Sequence, residues 1–175
     1  VSYAPVDLGN SVGAALFVAN YLHKQKRDLE FSTSYLGPQF EDSYIEAVLK
    51  RRSIRFQKLD NVAEEVAILL NSKHVVAHFN GSMEFGERAL GNRSILGNPS
   101  DPDVKGKINS MIKYRENYRP FAPSVCKESV SEYFDVDNDY ECFYMEKVVP
   151  VKSKYRDLLP GITHVDGSAR AHTVR

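Results

Sequence analysis

The chain has 175 residues, of which 42% are hydrophobic and 26% charged, and its 23 basic and 23 acidic side chains leave a formal net charge of zero. That length suits one sizeable domain, or one domain with a piece of another, and the composition is that of an ordinary globular protein. The neutral balance gives no whole-chain attraction to nucleic acid or to a membrane surface, and no apolar run approaches the roughly 20 residues of a bilayer span.

Asn10 or Ser11 is suited to cap a first helix, because Val12, Ala15, Leu16, Ala19 and Leu22 recur at helical spacing from there. Basic residues between His23 and Arg27 suit its C-terminal end. Val1 to Leu16 has no basic leader and is interrupted by Asp7, so a signal peptide is not expected. The missing initial Met points to a piece cut from a longer protein. Residues 28–40 read as a linker with a turn at Gly37-Pro38. A second helix starts at Asp42 or Ser43 and carries Ile45, Val48 and Leu49. Ile54, Phe56 and Leu59 alternate as a short strand, Asn61 to Leu70 is a third amphipathic helix, and His74 to Phe79 is a buried-type strand broken by Asn80-Gly81.

After Gly81 the texture changes to a polar, arginine-bearing stretch punctuated by Gly86, Gly91, Gly97, Pro99 and Pro102. Asp101 is suited to cap a helix with Pro102 at its first position, and Val104, Ile108, Met111 and Ile112 share one side of it. Glu141 to Pro150 reads as a strand, Lys154 to Leu159 as a short helix and Ile162 to Val165 as a further strand. Helices and strands interleave, so the class is α/β. Cys126 and Cys142 form no metal motif, and two thiols in a chain of this length fit a reducing, cytoplasmic compartment with no disulfide.

The chemistry concentrates in two clusters. In the first, Gly86 and Gly91 permit tight turns and close approach to a ligand. Arg88 and Arg93 bring planar, permanently charged forks suited to phosphate or carboxylate, and Asn92 and Ser94 add neutral hydrogen-bonding groups. The second cluster is Lys113, Arg115 and Arg119, followed by the stiff run Pro120 to Pro123. Between Arg88 and Arg119 seven basic residues (Arg88, Arg93, Lys105, Lys107, Lys113, Arg115, Arg119) face three acidic ones (Asp101, Asp103, Glu116), a local excess that suggests an anionic ligand. On helical spacing Lys105 and Lys113 share roughly one face. The bland alternative is that Arg88 and Arg93 pair with Glu84 and Glu87.

At these residues the chain resembles the carbamoyltransferase C-terminal domain of the nodulation-protein and antibiotic-tailoring O-carbamoyltransferases. The resemblance rests on Met83 to Leu96, on Lys113-Tyr114-Arg115-Glu116 with Arg119-Pro120-Phe121-Ala122-Pro123-Ser124, on Thr163 to Arg170, and on the entry Tyr35-Leu36-Gly37-Pro38. Glu87 departs from a common Pro and Asn80 from a common Gln, and residues 126–160 match only loosely. The resemblance implies a YrdC-like fold, an open twisted mixed sheet with flanking helices. It implies that residues 1–30 are the tail of an actin-type ATPase transfer domain and 31–175 the C-terminal domain, with Arg170 to Arg175 as its cut-off end. It further implies that carbamoyl phosphate and ATP, with Mg²⁺, react here to form carbamoyl-adenylate. The carbamoyl group then passes to a hydroxyl of a sugar, antibiotic or Nod-factor-like acceptor, at a metal-containing site in the N-terminal domain. Arg88, Arg93, Lys113 and Arg119 are the implied catalytic cations, and Asn92, Ser94, Arg115, His164, Asp166 and Arg170 the implied substrate contacts. The competing reading is a non-catalytic nucleotide- or RNA-binding module, which the neutral chain, lacking an extended basic stripe, disfavours.

Other candidates read as structural. His74 and His78 lie on a strand, where a spacing of four puts them about 13 Å apart, too far to chelate. Tyr133, Phe134, Tyr140, Phe143 and Tyr144 read as core aromatics. The Asp135, Asp137, Asp139 alternation lacks the Gly and terminal Glu of a calcium loop.

Overall fold

The structure, a computed structural model, describes residues 7–26, 33–116 and 118–175. Helix α1 (Asp7–Phe17) runs on as a π-helical turn (Val18–Leu22). It already includes Asp7, so Asn10 and Ser11 lie inside it and Ser11 Oγ bonds back to Leu8 O at 3.1 Å instead of capping. Helix α2 (Asp42–Arg51) begins where expected. Helix α3 (Val62–Asn71) starts behind Asn61, whose side chain accepts from Glu64 N at 3.2 Å, an N-cap bond. None of the described residues of these helices is buried, and Phe17, Tyr21, Tyr44, Ile45, Ile68 and Leu69 are exposed.

Residues 54–59 form no strand: Ile54 N turns back to bond Leu49 O at 3.0 Å at the end of α2, and Ile54 and Phe56 stay exposed. Strand β1 (Val76–Phe79) pairs with β2 (Arg93–Leu96) in a two-stranded sheet. Helix α4 (Val104–Ile108) begins two residues later than read from sequence. Asp101 makes the preceding turn, accepting from Asp103 N at 3.0 Å and from Val104 N at 3.2 Å. It continues as a π-helical turn (Asn109–Lys113). Strand β3 (Ser124–Cys126) leads to α5 (Val130–Tyr133) and β4 (Val149–Pro150), then α6 (Ser153–Arg156), β5 (Ser168–Ala169) and β6 (His172–Val174).

The α/β class holds, with an open arrangement of strands, but among the described residues pairing is divided among three two-stranded sheets rather than one. Strands β3 and β6 are parallel, with Ser124 opposite His172, and β4 and β5 are antiparallel, with Val149 opposite Ala169. The Glu141 to Pro150 strand shrinks to its last two residues, and Ile162 to Val165 is a turn, not a strand. Residues 171–173 are buried, and His172–Val174 form β6.

The described residues sort into two compact units, residues 1–58 with 79–94 and residues 59–78 with 95–175. The second holds the main core: Val130, Phe134, Val149, Val151, Ile162, Ala169 and Ala171, with Tyr133, Tyr140 and Tyr155 packed against it. Tyr133, Phe134 and Tyr140 thus serve as core aromatics, as expected. Cys126 is exposed and Cys142 buried, both as free thiols. No described helix is long and apolar enough to cross a membrane.

Candidate functional site

The first basic cluster belongs to a loop tied from inside. Asn80 N bonds Asn92 O at 2.9 Å and Asn92 Nδ2 bonds Ser82 O at 2.7 Å, closing the loop at its base. Gly86 and Gly91 take φ of +123° and +116°, the region that favours glycine. At the centre lies Glu84, with a fully buried side chain. Its Oε1 accepts from three backbone amides, Leu90 at 2.7 Å, Asn92 at 2.9 Å and Arg93 at 3.3 Å. Gly91 N donates to Ser94 Oγ at 3.1 Å. Residues 34–38 pack alongside: Phe85 N bonds Ser34 O at 2.6 Å, Gly37 N bonds Met83 O at 2.9 Å, and Tyr35 Oη donates to Leu90 O at 2.8 Å. The two sequence motifs at 35–38 and 83–96 are therefore one structural piece.

Arg88 and Arg93 stand on this loop roughly half exposed. Arg88 Nη2 lies 3.1 Å from Glu87 Oε1, and Arg93 Nε lies 4.0 Å from Glu84 Oε2. These are the ion pairs raised as the bland alternative. The Arg88 pair, exposed on both sides, is worth little and leaves its guanidinium able to exchange partners. Asn92 and Ser94 spend one group each on holding the loop.

The second basic cluster follows α4 in the other unit. Between Lys105 and Lys113 the helix changes to π form at Asn109. Lys105 is half-buried, with Nζ 3.4 Å from Thr163 O, whereas Lys113 is exposed. Tyr114 ends the π turn at φ +47°. Arg115 folds back: Nε donates to Asn109 Oδ1 at 3.1 Å, Nη2 to Pro120 O at 3.4 Å, and its guanidinium lies 4.3 Å over the Phe121 ring. Burial, then the charge of Arg119, pushes its pKa down. Arg115 thus anchors the Pro120-Phe121 turn. Arg119 is exposed and lies 3.9 Å from Glu116.

The 163–168 turn carries the remaining predicted residues. His164 N bonds Ser168 O at 2.8 Å and Gly167 N bonds His164 O at 2.9 Å. Asp166 Oδ1 accepts from Ser168 N at 3.0 Å and Ser168 Oγ at 2.7 Å, and the hydroxyl bond is the main reason its carboxyl is held below the usual range. Burial pushes His164 toward its neutral form, and the charges of Lys105 and Arg170 add to this while Asp166 opposes it. Lys105, which sequence reading did not place in the site, therefore belongs electrostatically with His164 and Arg170. Among the described residues no three His, Cys, Asp or Glu side chains gather to hold a metal, and His74 and His78 are not so grouped.

Arg88 and Arg93, and separately Lys113 and Arg119, thus present exposed cations on braced backbone, an arrangement that can bind anions. Comparison with known proteins gives this arrangement a family. The profile described as "Carbamoyltransferase C-terminus" matches residues 67–175, a span holding both basic clusters and the 163–168 turn but not residues 34–38. This chain belongs to that family. It is 40% identical over 178 residues to "Nodulation protein NolNO" of Sinorhizobium fredii, covering 99% of this chain and 26% of that protein. It is 38% identical to "Nodulation protein NolO" of Bradyrhizobium diazoefficiens (99% and 32%) and 40% identical to "Nodulation protein U" of Azorhizobium caulinodans (99% and 29%). The chain thus spans about a quarter to a third of the length of these relatives.

Proposed function

We propose that this carbamoyltransferase C-terminal chain activates the carbamoyl group for an O-carbamoyltransferase, using carbamoyl phosphate and ATP. The observation that carries this reading is that the family match spans the exposed cations Arg88, Arg93, Lys113 and Arg119 together. Water cleaves carbamoyl phosphate to carbamate and inorganic phosphate. A carbamate oxygen then attacks the α-phosphorus of ATP, forming carbamoyl-adenylate and releasing pyrophosphate. Both steps gather negative charge on oxygens, and fixed guanidinium and ammonium groups stabilise it without having to reorganise. Each such donor is worth on the order of 2–4 kcal/mol of transition-state stabilisation. Arg170, Asn92, Ser94, His164 and Asp166 serve as ligand contacts, and Arg115 holds the turn beside Lys113. Mg²⁺ enters with ATP; no carboxylate set in the chain is assigned to it.

In this reading residues 1–30 close an actin-type transfer domain and 31–175 make the activating domain. Transfer to the acceptor hydroxyl falls to the larger part that the relatives carry. The test is calorimetry of the 175-residue chain with carbamoyl phosphate, with ATP and with an RNA oligonucleotide. Heat with the first two supports the proposal. Heat with RNA alone favours a binding module instead. Carbamoyl product formed by these 175 residues without a further domain would refute the division of labour.

A further inference from the structure

We propose that Glu84 is a positioning residue for the anion site, acting through Arg93. This rests on the proposed binding of phosphate-bearing ligands by the arginine loop, and concerns how that loop is set.

The two oxygens of Glu84 do different things. Oε1 gathers the amides of Leu90, Asn92 and Arg93 and so fixes the backbone from which Arg93 projects. Oε2 is buried, accepts no hydrogen bond among the described residues, and faces Arg93 Nε at 4.0 Å. A buried carboxylate oxygen without a donor is costly, so the nearest cation is held toward it. The guanidinium is planar. With Nε as the nitrogen paired to Glu84, the terminal Nη1 and Nη2 edge is left for ligand, on a side chain that is 41% exposed. That edge is the fork that grips two oxygens of a phosphate. Glu84 thereby selects one orientation of Arg93 out of the many a long side chain samples, removing an ordering cost that binding would otherwise meet. The backbone shows the same bias: three amides of a glycine-punctuated loop, the groups a phosphate cradle would use, are committed to Glu84. Ligand recognition by this loop is therefore left to its side chains, and their aim matters.

The sharpest perturbation is Glu84→Gln. Its amide oxygen can still accept from the three amides, so the loop keeps its shape, while the charge facing Arg93 is gone. Glu84→Ala removes both functions and serves as the variant in which the loop itself is loosened. The probes are inorganic phosphate and carbamoyl phosphate, titrated calorimetrically into the 175-residue chain, with the Arg93 Nε–H signal followed by NMR. Glu84→Gln should leave the thermal midpoint close to that of the unsubstituted chain, weaken phosphate binding about five- to tenfold, and shift and broaden the Arg93 Nε–H resonance. On an Arg93→Ala background the same substitution should change affinity less than twofold, because its effect passes through Arg93. Equal losses with and without Arg93, or an unmoved Nε–H signal, would overturn the proposal. If the unsubstituted chain binds neither probe, the functional reading fails, while the Nε–H signal still decides whether Glu84 positions Arg93.

Discussion

Gly167 links the core to the turn that carries His164 and Asp166, and its replacement by Ala can be worked through. Its φ is +78°, its amide donates to His164 O at 2.9 Å, and its carbonyl accepts from Val151 N at 2.9 Å. Holding an L-residue in this left-handed region costs about 1–2 kcal/mol. A Cβ there would also stand 2.6 Å from Arg156 Cζ and 2.9 Å from Nε, so the guanidinium must leave. Leaving breaks the 2.9 Å bond from Arg156 Nε to Val151 O, worth about 1 kcal/mol. Gly167→Ala should therefore cost about 2–3 kcal/mol. On an Arg156→Ala background only the backbone strain remains, and the same step should cost about 1–2 kcal/mol. Urea unfolding followed by circular dichroism gives both numbers, and the chain has no Trp to report by fluorescence. If Gly167→Ala matches the unsubstituted chain, or its cost is the same with Arg156 removed, the account of this turn is wrong.

Phe134 is 2% exposed at the centre of the core, so Phe134→Ala should cost about 3–5 kcal/mol in the same assay, whereas Val165→Ala on the exposed turn should stay within about 0.5 kcal/mol. His164 titrates below its ordinary value of 6.5 in the fold, so the unfolded chain takes up its proton first as pH falls. Stability should drop on acidification from near pH 6.5 down to the folded-state value, and His164→Gln should flatten that slope in unfolding curves taken across the window. Arg88→Ala and Lys113→Ala remove exposed cations, so calorimetry should show carbamoyl-phosphate binding lost while the thermal midpoint is unchanged; unaltered affinity would remove them from the site.

The sequence is legible where structure is local. The helix read over Asn61 to Leu70 forms as Val62–Asn71, one residue along because Asn61 caps it, and Asn80-Gly81 ends β1, where Gly81 takes φ +61°. It is poorly legible where two or three residues become a strand only through a distant partner, as β3 does opposite β6 and β4 opposite β5. Ile162 to Val165 misleads for a related reason: the alternating pattern is overridden by Asp166 bonding Ser168 and by the positive φ of Gly167. Of the proposed site, the cations stand out in the sequence because permanent charge on a glycine-punctuated loop has few uses. Glu84 is not, since a lone Glu near arginines reads as an ion-pair partner. Its role depends on burial and on three amides six to nine residues away, which no spacing rule reveals.

That role changes what the glycines of this loop imply. Glycine-rich turns before phosphates ordinarily lend backbone amides to the ligand. Here Gly86 and Gly91 let the chain fold inward around a carboxylate, so the amides of Leu90, Asn92 and Arg93 face protein rather than solvent. Glycine content and arginine content thus serve separate purposes: the first builds a rigid base with its own internal anion, the second supplies the charge presented outward. On the proposal above, a fixed internal carboxylate also answers the problem of crowding cations on one loop, because Glu84 lies 4.0 Å from Arg93 Nε and leaves the fork of Arg93 for ligand. On the proposed reading, substitutions that spare every arginine but disturb Glu84, or the Tyr35 contact to Leu90 O, should therefore weaken anion binding as removal of an arginine does.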